Sequence, residues 1–276
     1  MTRFLMVVVT AALSAGCALA GVTLGVQYDF EAGDRSLSRV TARIDGVEMG
    51  KDVPLAVTGE AGVDLTLEVL EVSEEGVATI RATFGEVEAT LMDDPQDAGT
   101  PEPAELAVDE RGALVELTAG DGAALDLFAS GGVPLQFVVL LAGVVEMPSE
   151  PVGPGEEWTI ERCQQLPDVG EVSMTVTSRI TEISEGEIVV VTDINATVPE
   201  FSTANPLRDG AEATVQDGVL TIEGMTRRID MTTGLIKAAD ADMRFDGFTA
   251  IGAFPPLPLG VDSSFEIRPM GEENDR

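Results

Sequence analysis

The chain is 276 residues long and 44% hydrophobic, enough to bury a substantial core, which excludes wholesale disorder. Its 49 acidic residues against 16 basic ones give a net charge of −33, a surface set against nucleic acid phosphates and anionic lipid. No histidine occurs anywhere, which removes the usual neutral-pH base, the Ser-His-Asp and Cys-His arrangements and the commonest zinc ligand.

Residues 1–20 carry the features of an export signal. Arg3 supplies the positive charge, and Phe4 to Leu13 form an apolar stretch too short to span a bilayer. Ala18-Leu19-Ala20 then places small residues where a signal peptidase reads them, so cleavage is expected between Ala20 and Gly21. A second reading stays open. Leu13-Ser14-Ala15-Gly16-Cys17 resembles a lipoprotein box, in which Cys17 is lipidated and becomes the first residue. Both readings place the mature protein outside the cytoplasm, periplasmic or extracellular, or held at the outer membrane through the Cys17 lipid. Cys163 is then the lone thiol of the body and can form no internal disulfide; a small buried residue is expected there.

The body reads as strands and turns. Val63–Val72 and Val77–Ala82 flank Glu75-Gly76 as a hairpin, and Val172–Ile183 and Ile188–Val191 do the same around Ser184-Glu185-Gly186. Met92 to Glu105, broken by Pro95, Pro101 and Pro103, reads as a polar loop. Asp109–Gly112 and Asp230–Gly234 are turns in which glycine supplies positive φ. Pro134 to Val145 is nearly continuous apolar sequence, too short for a membrane helix, and reads as a buried helix or core strand. Trp158 reads as an anchor of the following strand. Asp217-Gly218 between Val215 and Ile222 predicts a two-residue hairpin. Ala239 to Asp246 alternates apolar and charged residues, the pattern of a sheet with one wet face, and Asp246-Gly247 is expected to turn the chain.

Two stretches run in step. Thr66–Gly76 matches Thr177–Gly186 at an offset of 111 until one residue drops out before the glycine. Val108–Val115 matches Ile229–Ile236, and Ala32-Gly33-Asp34 matches Pro154-Gly155-Glu156. Three landmarks in one order point to an internal repeat. The expected fold is all-β and mainly antiparallel: two similar twisted-sheet halves with one short helix or apolar strand between them. The expected segments are a signal peptide (1–20), a first β-rich repeat (21–130), an apolar connector (131–148), a second repeat (149–268) and a disordered tail (269–276).

Chemistry is sparse. No phosphate-cradling glycine loop and no cysteine pair at metal spacing occur. Asp240, Asp242, Asp246 and Gly247 fail a calcium loop, because Arg244 and Phe245 stand where a ligand and a glycine are needed. Carboxylates could in principle support a hydrolase, a remote alternative with one tryptophan and one tyrosine available as sugar platforms. No catalytic, cofactor-binding or metal-binding residue is therefore expected.

Tyr28-Asp29-Phe30-Glu31-Ala32-Gly33-Asp34 and Met147-Pro148-Ser149-Glu150-Pro151-Val152-Gly153-Pro154-Gly155-Glu156-Glu157-Trp158 resemble the elements of a family of bacterial exported β-rich proteins known as a domain of unknown function. Glu156 stands where aspartate is more usual. The resemblance implies fold and export but carries over no site. The functional expectation is a non-enzymatic envelope protein that binds an apolar ligand or a protein partner, without nucleic acid or cofactor, and touching a membrane only through a lipid anchor. The alternative is an acidic structural or stress protein of the cell surface without a pocket.

Overall fold

The computed structural model describes residues 7–10, 23–49, 54–55, 57–97, 99–119, 144–166, 170–184, 186–204, 212–251 and 255–270. Among them every regular element is a strand. The signal segment 1–20 is outside them except for β1 (Val7–Thr10), which pairs antiparallel with β2 (Thr23–Val26). Cys17, Ala20 and Gly21 lie outside the described residues.

Every other strand joins one antiparallel sheet. From the first half come β3 (Arg35–Met49), β4 (Pro54–Leu55), β5 (Gly59–Val72), β6 (Ala78–Phe84), β7 (Glu88–Leu91), β8 (Asp94–Asp97), β9 (Ala104–Val108) and β10 (Leu114–Ala119). From the second come β11 (Glu157–Leu166), β12 (Gly170–Ser184), β13 (Glu187–Val198), β14 (Phe201–Ala204), β15 (Glu212–Asp230), β16 (Ile236–Ile251) and β17 (Leu257–Pro269). The main path is β10-β9-β6-β5-β3-β17-β16-β15-β13-β12-β11. It is a meander in which the flanks meet where β17 pairs with β3 (Phe265 opposite Ala42) and the edges are β10 and β11.

The sheet curls. Tyr28 stands against both the β9–β10 turn and the β15–β16 turn: a methyl group on Gly112 would lie 2.8 Å from its Cε2, and one on Gly234 2.8 Å from its Cδ1. Those turns are about six strand spacings apart along the sheet, roughly 29 Å if it were flat. One phenol ring bridges them only if the sheet is rolled. Residues 144–156 tie the edges together. Met147 N donates to Arg111 O (2.7 Å) beside β10, while Trp158 Nε1 on β11 donates to Glu146 O (3.1 Å). The inner face carries a main apolar core that includes Leu65, Ile80, Leu106, Ile180, Ile222 and Ile236, and a second, smaller cluster forms around Ile44, Val47, Val57 and Val261. The outer face carries the charge.

The Gly76, Gly112, Gly186 and Gly234 turns all have positive φ and lie at one end of the rolled sheet, as the meander requires. The sequence correspondence falls on matching backbone features. The β5–β6 register shifts between Val69 and Glu71, and the β12–β13 register between Ile180 and Glu182. Gly33 N donates to Val69 O, and Gly155 N to Ile180 O, each at 2.8 Å. Asp34 Oδ2 accepts from Glu31 N (3.0 Å) as Glu156 Oε2 accepts from Gly153 N (2.6 Å).

Several local expectations are corrected. Asp217-Gly218 makes no hairpin. β15 runs through it with a register shift between Gln216 and Val219, and Asp217 takes φ 51°. Phe245 covers Gly218 so closely that a Cβ there would lie 2.8 Å from its Cζ, so the glycine serves a bulge. Asp246-Gly247 does not turn the chain; β16 continues to Ile251 because β17 pairs with it there, Gly247 opposite Leu259. Residues 92–105 are not one loop. Met92 and Asp93, both at positive φ, turn a short β7–β8 hairpin, with Pro95 on the edge strand where its missing N–H costs no ladder bond. Pro269, expected to open the tail, instead closes β17 opposite Ser38, and residues 271–276 lie outside the described residues. Of the apolar segment Pro134–Val145, only Val144 and Val145 are described; both are buried in irregular chain.

Candidate binding site at the closed end of the curled sheet

The end carrying the glycine turns is closed from within. Tyr28 and Phe30 stack with ring centroids 5.2 Å apart, and Val145 and Met147 are buried beside them. The Tyr28 hydroxyl donates to Val145 O at 2.7 Å. Burial pushes that hydroxyl well above the ordinary tyrosine range, against the opposing pull of the Arg227 charge.

Below this plug lies a polar cluster in an apolar wall. Ser178 on β12 and Thr192 on β13 face each other across the ladder, their hydroxyls 2.9 Å apart and both buried. Arg227 on β15 is 4% exposed, and its Nη2 donates to Thr192 Oγ1 at 2.6 Å. Its Nε has no partner, and among the described residues no carboxylate pairs with it. Burial holds this guanidinium down to about 10; the neighbouring Tyr28 opposes that shift and the Arg162 charge adds to it. The group nonetheless remains a cation at neutral pH. Arg162, on the inner face of β11, pairs with Glu146 and keeps a second buried, unpartnered Nε.

A bulge aims Arg227 inward. Leu220 and Ile222 face the core, so strict alternation would point Arg228 inward and Arg227 out. Gly224, at φ 66°, inserts an extra residue and the β15–β16 register shifts between Glu223 and Thr226. Met225, Arg227 and Ile229 then face the core, while Arg228 faces solvent and pairs with Glu187 at 2.9 Å. Sequence reasoning missed this cluster. The legible signal was an arginine two residues from both Met225 and Ile229, in apolar register just past a glycine.

The outer face treats its cations differently. Arg244 joins Asp246, Asp262 and Glu48 across three strands, and its pKa is raised first by the hydrogen bond to Asp246. Arg39 joins Asp64 and Glu88, and Arg81 joins Glu105. A shallow outer pocket of about 230 Å³ is lined by Thr41, Arg43, Glu223, Asp240, Asp242 and Glu266. Among the described residues no group of acidic side chains is arranged to hold a metal ion.

Cys163 is exposed rather than buried, since it falls on the outer register of β11; its Sγ is 3.3 Å from Ser173 Oγ. Trp158 sits on the inner register, 8% exposed, in the core.

The sequence matches no protein-family model and no curated protein. Among solved structures it is similar to one titled for lipid-protein interactions in lipovitellin, at 11% identity and TM-score 0.43 over 88% of this chain and 26% of that one. It is also similar to an outer membrane channel from Pseudomonas putida F1 (8% identity, TM-score 0.26, 87% and 97% of the two chains). A third similarity is to Pseudomonas aeruginosa OpdQ (6% identity, TM-score 0.22, 86% and 97%). The chain thus spans about a quarter of the first of these, and likenesses this distant carry no argument about function.

Proposed function

We propose that this is a non-enzymatic, exported envelope protein that carries an apolar ligand inside its curled sheet. The observation that carries the reading is the rolled eleven-strand path with an apolar inner face. About eight strands close a barrel that side chains alone can fill, and wider ones enclose ligands. Here the wall is wider, and small residues recur on it, among them Ala42, Ala61, Ala82, Ala196 and Ala239. Its outer positions carry charge, such as Arg81, Glu105, Asp242 and Glu266. Apolar inside and charged outside is the reverse of a barrel that faces lipid. Export follows from the signal-like residues 1–20, with release at Gly21 or lipidation at Cys17 as the two modes of residence.

The test is fluorescence of the apolar dye N-phenyl-1-naphthylamine with the purified protein. A saturable rise in emission, at one dye per chain, is expected. No enhancement up to dye solubility, together with a native mass free of any bound small molecule, overturns carriage.

A further inference from the structure

We propose that the ligand is a single-chain amphiphile with an anionic head, and that Arg227, Thr192 and Ser178, with Arg162 alongside, form the seat for that head beneath the Tyr28 plug. This inference rests on the carriage reading and names its substrate class.

The chain has few cations to spare, 16 against 49 acids. On the outer face Arg39, Arg43, Arg81 and Arg244 are each paired with carboxylates. Arg227 is instead held inside, 4% exposed, with one hydroxyl as partner and Nε unsatisfied. A buried charge without a counter-charge is costly to a fold. No packing role requires it: its inward neighbours along β15 are Met225 and Ile229, and a third apolar side chain would continue their row. The guanidinium is placed there at the cost of a bulge, fixed by glycine at positive φ and by the hydrogen bond from Gly224 N to Asp193 Oδ1 (2.7 Å). Bulges of this kind re-aim side chains next to functional sites.

The surrounding donors fit an anionic oxygen head. A guanidinium presents a planar fork suited to a carboxylate or a phosphate. Arg227 Nε and Arg162 Nε are both buried and unpartnered, and two hydroxyls complete the polar patch. Beyond it the inner wall is mainly apolar, interrupted by the buried hydroxyls of Ser38, Thr249 and Ser263, and is the surface a hydrocarbon tail would cover. A neutral apolar ligand would leave the charge unanswered, and a cationic one would be repelled.

The experiment displaces N-phenyl-1-naphthylamine from the full protein with dodecanoate, dodecyl phosphate or dodecanol, in wild type, Arg227→Met and Thr192→Val. In wild type at least one anion is expected to displace at tenfold or more lower concentration than the alcohol, and the order of the two anions separates a carboxylate from a phosphate head. Arg227→Met should abolish that preference while melting no lower than wild type, because it removes an uncompensated charge. Thr192→Val should reduce the preference several-fold. Dye binding with equal potency of alcohol and anions overturns the anionic seat and leaves carriage standing, whereas absent dye binding overturns carriage itself. An Arg227→Met chain that keeps the preference, or that melts below wild type, also overturns the proposal, since the arginine would then serve the fold.

Discussion

Gly224 N lies 2.7 Å from Asp193 Oδ1, and this hydrogen bond holds the bulge that turns Arg227 toward the core. Asp193 is on β13, outward-facing, between Thr192 and Ile194, where the β13–β15 register shifts. One carboxylate therefore sets the direction of a side chain on the neighbouring strand. Deleting Gly224 removes the extra residue, so plain alternation from Ile222 through Met225 still points Arg227 to the core and Arg228 to solvent, now without a bulge. The deletion variant should therefore keep any preference for anionic over neutral amphiphiles. Asp193→Ala should keep the bulge but loosen it, costing about 1 kcal/mol, read as a shift in the urea midpoint. A Gly224 deletion that loses the preference would contradict this account of the bulge.

Tyr28 closes one end of the curled sheet through a single buried hydrogen bond to Val145 O. In Tyr28→Phe the ring still packs on Phe30, but the carbonyl loses its donor. The expected cost is about 1–3 kcal/mol, measured by denaturant unfolding followed through Trp158. A loss near zero would mean that the carbonyl finds another partner.

The two glycine turns beneath that ring make an independent check on the curl. Gly112 and Gly234 have φ 80° and 73°, and a Cβ at either would come within 2.8 Å of Tyr28. Gly112→Ala and Gly234→Ala combine backbone strain with a clash against the ring. Each is expected to cost about 1–3 kcal/mol from the backbone alone. Gly99, also at positive φ but with open space around its Cβ position, is the control for strain without the clash. If Gly99→Ala costs as much as the other two, the ring contact contributes nothing.

The strand content and most turns were legible because alternation and glycine punctuation are local properties. Ala239, Ala241 and Met243 do face the core, and Gly76 and Gly186 do turn their hairpins. What failed depended on neighbours far away in sequence. Asp217-Gly218 has the composition of a hairpin turn, but β13, β14 and β16 all pair with β15 and hold the strand through it. Asp246-Gly247 is kept extended by β17 in the same way. The candidate site was invisible for a related reason. Arg227 and Arg228 are adjacent and chemically equal, and only the bulge at Gly224 decides which one is buried. The single sheet, in place of two, follows from the β17–β3 ladder, which joins residues as far apart as Ser38 and Pro269 and which no local pattern encodes.

The charge balance predicts a salt response. A chain of net charge −33 repels itself when folded, and the ion pairs on the outer face are too exposed to offset that strongly. Raising ionic strength from about 0.01 M to about 0.15 M shortens the screening length from roughly 30 Å to roughly 8 Å. Tm should therefore rise over that range. A falling Tm would show that the surface pairs outweigh the repulsion.

Alkaline stability should depend on Tyr28 and Arg227 in opposite senses. Burial raises the Tyr28 hydroxyl above its ordinary value, so the folded state keeps this proton after the unfolded chain has released it. The stability this contributes is complete below about pH 10 and is lost as pH climbs beyond it. Burial holds Arg227 down to about 10, so the folded state releases that proton before the unfolded chain does. Its contribution is a cost at neutral pH, relieved progressively as pH rises above about 10. The two overlap in one window and partly cancel in the wild type. Arg227→Met removes the relief and steepens the alkaline loss of stability; Tyr28→Phe removes the loss and flattens it. Urea midpoints taken from about pH 9 to about pH 11.5 separate the three slopes. Tyr28 is the one tyrosine of the chain, so its ionisation can also be followed by ultraviolet absorbance. Tyrosinate appearing near pH 10 in the folded protein would refute the buried plug, and with it the alkaline loss of stability assigned to Tyr28.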